Sequence, residues 1–117
     1  MAQSVTPKTV VVYVDARSRK PFTEWVQSLK DIQAKRRIAA RLRRVSEGNY
    51  GDYKHVQDGV YELRLFFGPG YRVYFGEDGD TIVVLLCGGD KGSQEKDIEA
   101  ALAHWKEYQD GKKISDA

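Results

Sequence analysis

The run from Tyr61 to Phe75 most constrains what this chain can fold into: two alternating segments flank Gly68-Pro69-Gly70. Alternation marks a strand, because successive side chains point to opposite faces. Tyr61, Leu63, Leu65 and Phe67 share one parity, while Glu62, Arg64 and Phe66 share the other. In the second segment Tyr71, Val73 and Phe75 alternate with Arg72 and Tyr74. Both apolar sets must meet one core, since a one-residue slip would turn a whole face outward. Odd-numbered residues therefore point the same way in both strands. The connection then has an odd number of residues, most simply Gly68-Pro69-Gly70. That register puts Arg64 near Tyr74 and Phe66 near Arg72. Two guanidinium groups gathered across one hairpin suit an anion. A solvated face on which Glu62 neutralises one arginine is the plain alternative.

The remaining elements follow from local pattern. Val10 to Val14 is a short β-branched run and reads as the first strand. Pro21 suits a helix start, where its missing N–H costs little, and Phe22, Trp25, Val26 and Leu29 follow at helical spacing. Asp31 is placed to cap a second helix with an apolar stripe of Ile38, Leu42 and Val45, ended by Gly48-Asn49. A short strand is expected around Lys54-His55-Val56, with Asp58-Gly59 turning into the hairpin. Ile82 to Cys87 is a continuous apolar run, as in a strand covered on both faces or central in its sheet. Ser93 or Asp90 can cap a last helix with Ile98, Ala101, Leu102, Trp105 and Tyr108 on its apolar side.

The expected order is β-α-α-β-β-β-β-α. This is an α+β fold with a mostly antiparallel sheet of four to five strands and helices packed on one face. Residues 1–117 form one domain, with a core at about 8–109 and a polar tail over 110–117 that frays. The face opposite the helices is expected to stay open and to carry the arginines.

Composition narrows the function classes. The chain has 117 residues, 41% hydrophobic and 31% charged, as in a soluble globular protein. No apolar run reaches membrane-span length, and the first residues lack a signal-peptide pattern, so no membrane partner and a cytoplasmic location are expected. The one cysteine, Cys87, reads as a packed core thiol. His55 and His104 have no metal-ligand spacing with it, so neither a metal nor another cofactor is expected. His104 is expected on a helix surface. The Gly88–Ser93 loop lacks the order of a nucleotide phosphate loop, though a helix start after glycines can hold a single phosphate. Net charge is +2, but residues 1–59 hold twelve Lys/Arg against six Asp/Glu. Half of those bases are Lys35, Arg36, Arg37, Arg41, Arg43 and Arg44 on the second helix. They form either a solvated face matched to the helix dipole or a nucleic-acid contact.

Taken together, several of these pieces resemble one family. They are Pro21-Phe22 and Trp25, the arginine-rich helix ending Gly48-Asn49-Tyr50-Gly51-Asp52, and Val60-Tyr61-Glu62-Leu63-Arg64. To these add Gly68-Pro69-Gly70-Tyr71-Arg72-Val73-Tyr74 and Gly88-Gly89-Asp90-Lys91 with Gln94, Asp97 and Ile98. Over about residues 8–109 the chain resembles the RelE/ParE toxin superfamily, in its HigB-like, phage-derived branch of addiction-module killer proteins. The resemblance implies a RelE-like domain and the toxin of a type II toxin–antitoxin pair in the bacterial cytoplasm. Related toxins cut messenger RNA on the ribosome or, in the ParE branch, inhibit DNA gyrase without chemistry. The implied partners are a helix-turn-helix antitoxin, the ribosome and its mRNA, with operator DNA reached only through the antitoxin.

On this resemblance Arg64 and Arg72 match catalytic arginines, and Lys54 matches a lysine that precedes the hairpin. The tyrosine-bearing C-terminal segment of RelE has no counterpart; Asp90 and Lys91 stand in its place. The implied reaction is metal-independent attack by the RNA 2′-hydroxyl, which needs a base, charge at the phosphorane and an acid. Lys54, His55 or Asp90 is the base and Lys91 or Tyr74 the acid, with Tyr74 and Phe66 stacking a base of the RNA. The alternatives are a gyrase inhibitor and an inactive relic that only binds its antitoxin.

Overall fold

The computed structural model describes residues 6–117. Strand β1 (Thr9–Tyr13) leads into helices α1 (Pro21–Ser28) and α2 (Ile32–Ser46). Strands β2 (Tyr53–Gln57), β3 (Val60–Leu65), β4 (Tyr71–Asp78) and β5 (Ile82–Asp90) follow. A 3₁₀ turn (Lys91–Ser93), helix α3 (Gln94–Gly111) and strand β6 (Ile114–Asp116) come next. The six strands form one sheet in the order β2-β3-β4-β5-β1-β6. Among the described residues only the pairing of β1 with β5 is parallel. The architecture is α+β with a mixed, mostly antiparallel sheet. Among the described residues no helix is long and apolar enough to cross a membrane.

Local chemistry sets the helix ends. Pro21 occupies the first turn of α1. The Asp31 carboxylate accepts from the amides of Gln33 at 2.9 Å and Ala34 at 3.3 Å, satisfying two donors that α2 would otherwise leave bare. At the other end Gly48 takes φ 89°, and its N–H donates to Val45 while that of Asn49 donates to Arg44, a Schellman closure. Between these ends Ala34, Ile38, Arg41 and Val45 form the buried stripe.

Three expectations change. First, helices cover both faces of the sheet. α1 and α2 lie over the odd residues of the hairpin, with Val12, Leu63, Val73, Phe75 and Leu85 in that core. α3 lies over the even face, burying Val11, Tyr13, Val60, Tyr74, Val84 and Leu86 beneath Ala101, Trp105 and Tyr108. The physical cause lies outside the hairpin: β1 and β5 are apolar at both parities, so each face must be covered. Gly76 makes room for α3, since a Cβ there would stand 2.5 Å from the Trp105 ring.

Second, the β3–β4 connection is the five residues Phe66–Gly70, with Leu65 opposite Tyr71. Parity survives, but the register moves by two. Arg64 therefore sits opposite Arg72, and Glu62 opposite Tyr74. Positive φ at Gly68 and Gly70, and a 3.0 Å bond from the Gly70 N–H to the Phe67 carbonyl, hold this wider turn.

Third, the expected frayed tail contains β6, paired antiparallel with β1. β1 would otherwise present an open edge, and backbone pairing requires no apolar side chains.

Candidate nucleic-acid interface

Register places the hairpin's polar residues in two rows on the α3 face. One row runs Lys54, Glu62, Tyr74, Cys87; the next holds Arg64, Arg72 and Gly89. The Glu62 carboxylate is fully buried. Its Oε1 accepts from Arg72 Nη1 at 2.7 Å, and its Oε2 accepts from Gln94 Nε2 at 3.0 Å. The Arg72 side chain is left 11% exposed. Arg64 is held differently: its side chain is partly exposed, but its buried Nε stands 3.4 Å from the buried Asp52 Oδ2 without hydrogen-bond geometry. The two arginines are thus unequal: Arg72 is clamped by a buried carboxylate, while Arg64 is the more exposed and its Nε has no hydrogen-bond partner.

Tyr74 lies between these groups and is fully buried. Burial first, then the Glu62 charge, pushes its phenol well above the ordinary tyrosine value, and Arg72 offsets only part of this. The arginines therefore do not prime this phenol as the expected acid, and the ring is not accessible for the expected stacking on RNA. Desolvation outweighs one guanidinium already neutralised by Glu62.

The other expected site residues are dispersed. Lys54 is exposed on the same face as Arg64. His55 pairs with Tyr61 and so points to the opposite face; its ring packs edge-on to Tyr61, and its Nε2 accepts from the Gly59 N–H at 3.3 Å. Asp90 also has the opposite parity, paired with Tyr71, and its carboxylate accepts from the Gly92 N–H at 2.8 Å. Lys91 is exposed in the 3₁₀ turn, its Cβ 3.4 Å from where a Cβ on Gly70 would stand.

On α2, Arg36, Arg37, Arg43 and Arg44 are exposed and Lys35 is half-buried. Arg41 departs from the expected basic surface. It is buried, and its three nitrogens donate to the carbonyls of Tyr50 at 2.8 Å, Arg64 at 2.8 Å and Asp52 at 2.5 Å. Those carbonyls belong to the α2–β2 loop and the end of β3, which would otherwise bury them unpaired. By type Arg41 belongs with the bases, although it falls on the same stripe as Ile38 and Val45. That stripe was the available signal.

Gln94 and Asp97 are the partners that spacing did not reveal. Asp97 accepts from Ser93 Oγ at 2.5 Å, and its backbone carbonyl takes the Cys87 thiol at 3.6 Å. Burial, followed by the Asp97 charge, pushes that thiol up to about 12. His104 is half-buried rather than on the surface, stacked on Tyr13 at 4.8 Å. Among the described residues no three His, Cys, Asp or Glu side chains cluster as metal ligands.

Fold and site together define an α+β protein with a double-sided core and a cationic hairpin beside a cationic helix. No family model matches the chain. It is 46% identical over 88 residues to an uncharacterized protein of Haemophilus influenzae, covering 75% of this chain and 89% of that one. The chain belongs to the same family as that protein.

Proposed function

We propose that this protein is the toxin of a type II toxin–antitoxin pair, of the RelE/ParE kind, and a ribosome-dependent mRNA endonuclease of the bacterial cytoplasm. The observation that carries the reading is Arg64 directly opposite Arg72 on adjacent strands, with Lys54 exposed on the same face. A guanidinium fork matches the non-bridging oxygens of a phosphodiester. In the reaction the 2′-oxygen bonds to phosphorus, the bond to the 5′-oxygen breaks, and that oxygen takes up a proton. Arg64 holds the phosphate as charge grows on it, and Arg72, ion-paired with Glu62, fixes the strand beside it. Lys54 is the candidate base and Lys91 the candidate acid. The ribosome positions the message. The exposed arginines of α2 contact ribosomal RNA, and a helix-turn-helix antitoxin neutralises the toxin.

One observation favours a second reading. Arg72 is neutralised and Tyr74 is sealed away, which leaves little acid–base equipment on the face. A ParE-like gyrase inhibitor, or an antitoxin-binding relic, needs only a surface. Mapping RNA 5′ ends after brief induction separates these readings. Endonuclease action gives cuts in a translated message and none when its start codon is disabled. Arg64→Ala should slow cutting by roughly 100- to 1000-fold, the usual effect of losing one transition-state contact. Growth arrest with intact messages would transfer the proposal to gyrase, and no arrest would transfer it to the relic.

A further inference from the structure

Between α2 and the β3–β4 turn lies a cleft of about 380 Å³ that the hairpin site does not use. Arg37, Arg41 and Arg44 line one side, and Leu65, Phe66 and Phe67 the other; no carboxylate lines it. Among the described residues neither Arg37 nor Arg44 has an acidic group within ion-pair distance. Arg41 is a fixed charge at the cleft wall, because its nitrogens are committed to backbone carbonyls. Burial first, and the neighbouring Arg44 charge second, hold its guanidinium below the ordinary value, with Asp52 opposing them. Like charges crowded in this way favour an anion.

The opposite wall is aromatic and positioned. Phe66 is 77% exposed, on the turn tied by the Gly70–Phe67 bond. A lone exposed phenylalanine means little. This one has the Arg64 guanidinium 5.9 Å from its ring, while Arg37 lies 4.7 Å over the adjoining Phe67. A π-face framed by cations is the combination used on unpaired nucleotides.

We infer that this cleft binds one nucleotide of single-stranded RNA, with its base stacked on Phe66 and its phosphate between Arg37 and Arg44. An acidic peptide would satisfy the arginines but leave Phe66 uncovered. A duplex keeps its base faces stacked and offers Phe66 nothing. The cleft volume lies at the small end of ligand pockets, which suits one nucleotide. The inference rests on the RNA reading above for its ligand class, but does not depend on cleavage.

The test is fluorescence anisotropy of a labelled single-stranded RNA decamer with the full chain across a salt series. Phe66→Ala should weaken binding roughly tenfold or more with the salt slope unchanged. Phe66→Trp should keep tight binding. Replacing Arg37 and Arg44 together by alanine should lower the slope of log K against log salt by roughly 0.7, one phosphate's share. Lys106→Ala, exposed on α3, should leave affinity unchanged. Urea midpoints confirm that the variants are folded. Wild-type affinity in Phe66→Ala overturns the site alone and leaves the hairpin proposal standing. Equal affinity for duplex RNA, or displacement of the decamer by an acidic peptide, also overturns it. A wild-type chain that binds no RNA decamer also overturns the site, while the hairpin proposal, whose message the ribosome positions, is decided by the 5′-end map.

Discussion

Replacing Arg41 should cost more stability than replacing any other base on α2. In Arg41→Ala the carbonyls of Tyr50, Asp52 and Arg64 lose their donors together. A hydrogen bond from a charged donor contributes about 1.5–3 kcal/mol, and an acceptor left buried without a partner costs about 1–3 kcal/mol. Water can enter from the cleft beside α2 and recover part of this, so a total of about 3–5 kcal/mol is expected. A domain of this size has roughly 5–15 kcal/mol to lose, and the melting temperature should fall by roughly 10–20 °C. Arg41→Lys should recover only about a third, because an ammonium cannot reach three divergent carbonyls as a planar fork does. Arg36→Ala and Arg43→Ala, both exposed, should stay within about 0.5 kcal/mol of the parent. Urea titration of all four variants, followed by tryptophan fluorescence, gives the comparison. A loss below about 1 kcal/mol for Arg41→Ala would falsify the pinning argument, as would a lysine variant as stable as the parent.

Other outcomes follow from buried groups. Glu62→Gln should destabilise the fold by about 3–5 kcal/mol in urea titration, because Arg72 is left without its charge partner; an unchanged midpoint would mean that solvent replaces the carboxylate. Cys87, with its thiol pushed up to about 12, should resist a thiol reagent at pH 8 and react fully in urea; rapid native labelling would contradict its burial. His104 is held below 6.5 chiefly by burial, although Glu107 and Asp15 favour its proton. The unfolded chain then takes up that proton first as pH falls, so stability should drop below about pH 6.5 and level off once the folded state protonates. His104→Gln should flatten that slope; an identical slope would remove the histidine from the linkage. Gly88→Ala should cost about 1–3 kcal/mol by thermal melting, since its Cβ would collide with the Trp25 ring, and a parental melting temperature would show that α1 yields freely.

The strands were legible wherever parity was a local signal. The β3–β4 hairpin was readable because Leu63, Leu65, Val73 and Phe75 alternate with polar neighbours. The Asp31 cap and the Gly48 stop of α2 were readable because capping depends on residues a few positions apart. Loop length was not legible: three and five residues preserve the same parity, and the choice between them moves Arg64 from Tyr74 to Arg72. The second covered face was hidden because Tyr74 and Glu62 look like surface residues beside arginines. Their burial is set by Trp105 and Gln94, which arrive from a distant helix. β6 was invisible because a paired edge is a property of backbone geometry, and Ile114-Ser115-Asp116 carries no apolar pattern.

The parallel contact of β1 with β5 has a consequence for how the chain is made. Thr9 pairs with Ile82, and Val12 with both Leu85 and Ser115. During synthesis β1 therefore leaves the ribosome long before either neighbour, its Val10-Val11-Val12 backbone unpaired while the hairpin is assembled behind it. At roughly 5–20 residues per second this wait lasts several seconds. A nascent chain stopped before β5 can close the β2-β3-β4 meander, yet it lacks the strand that joins the meander to β1. Completion is thus a late, all-at-once event, and the interval before it is when an apolar N-terminal strand is open to a chaperone.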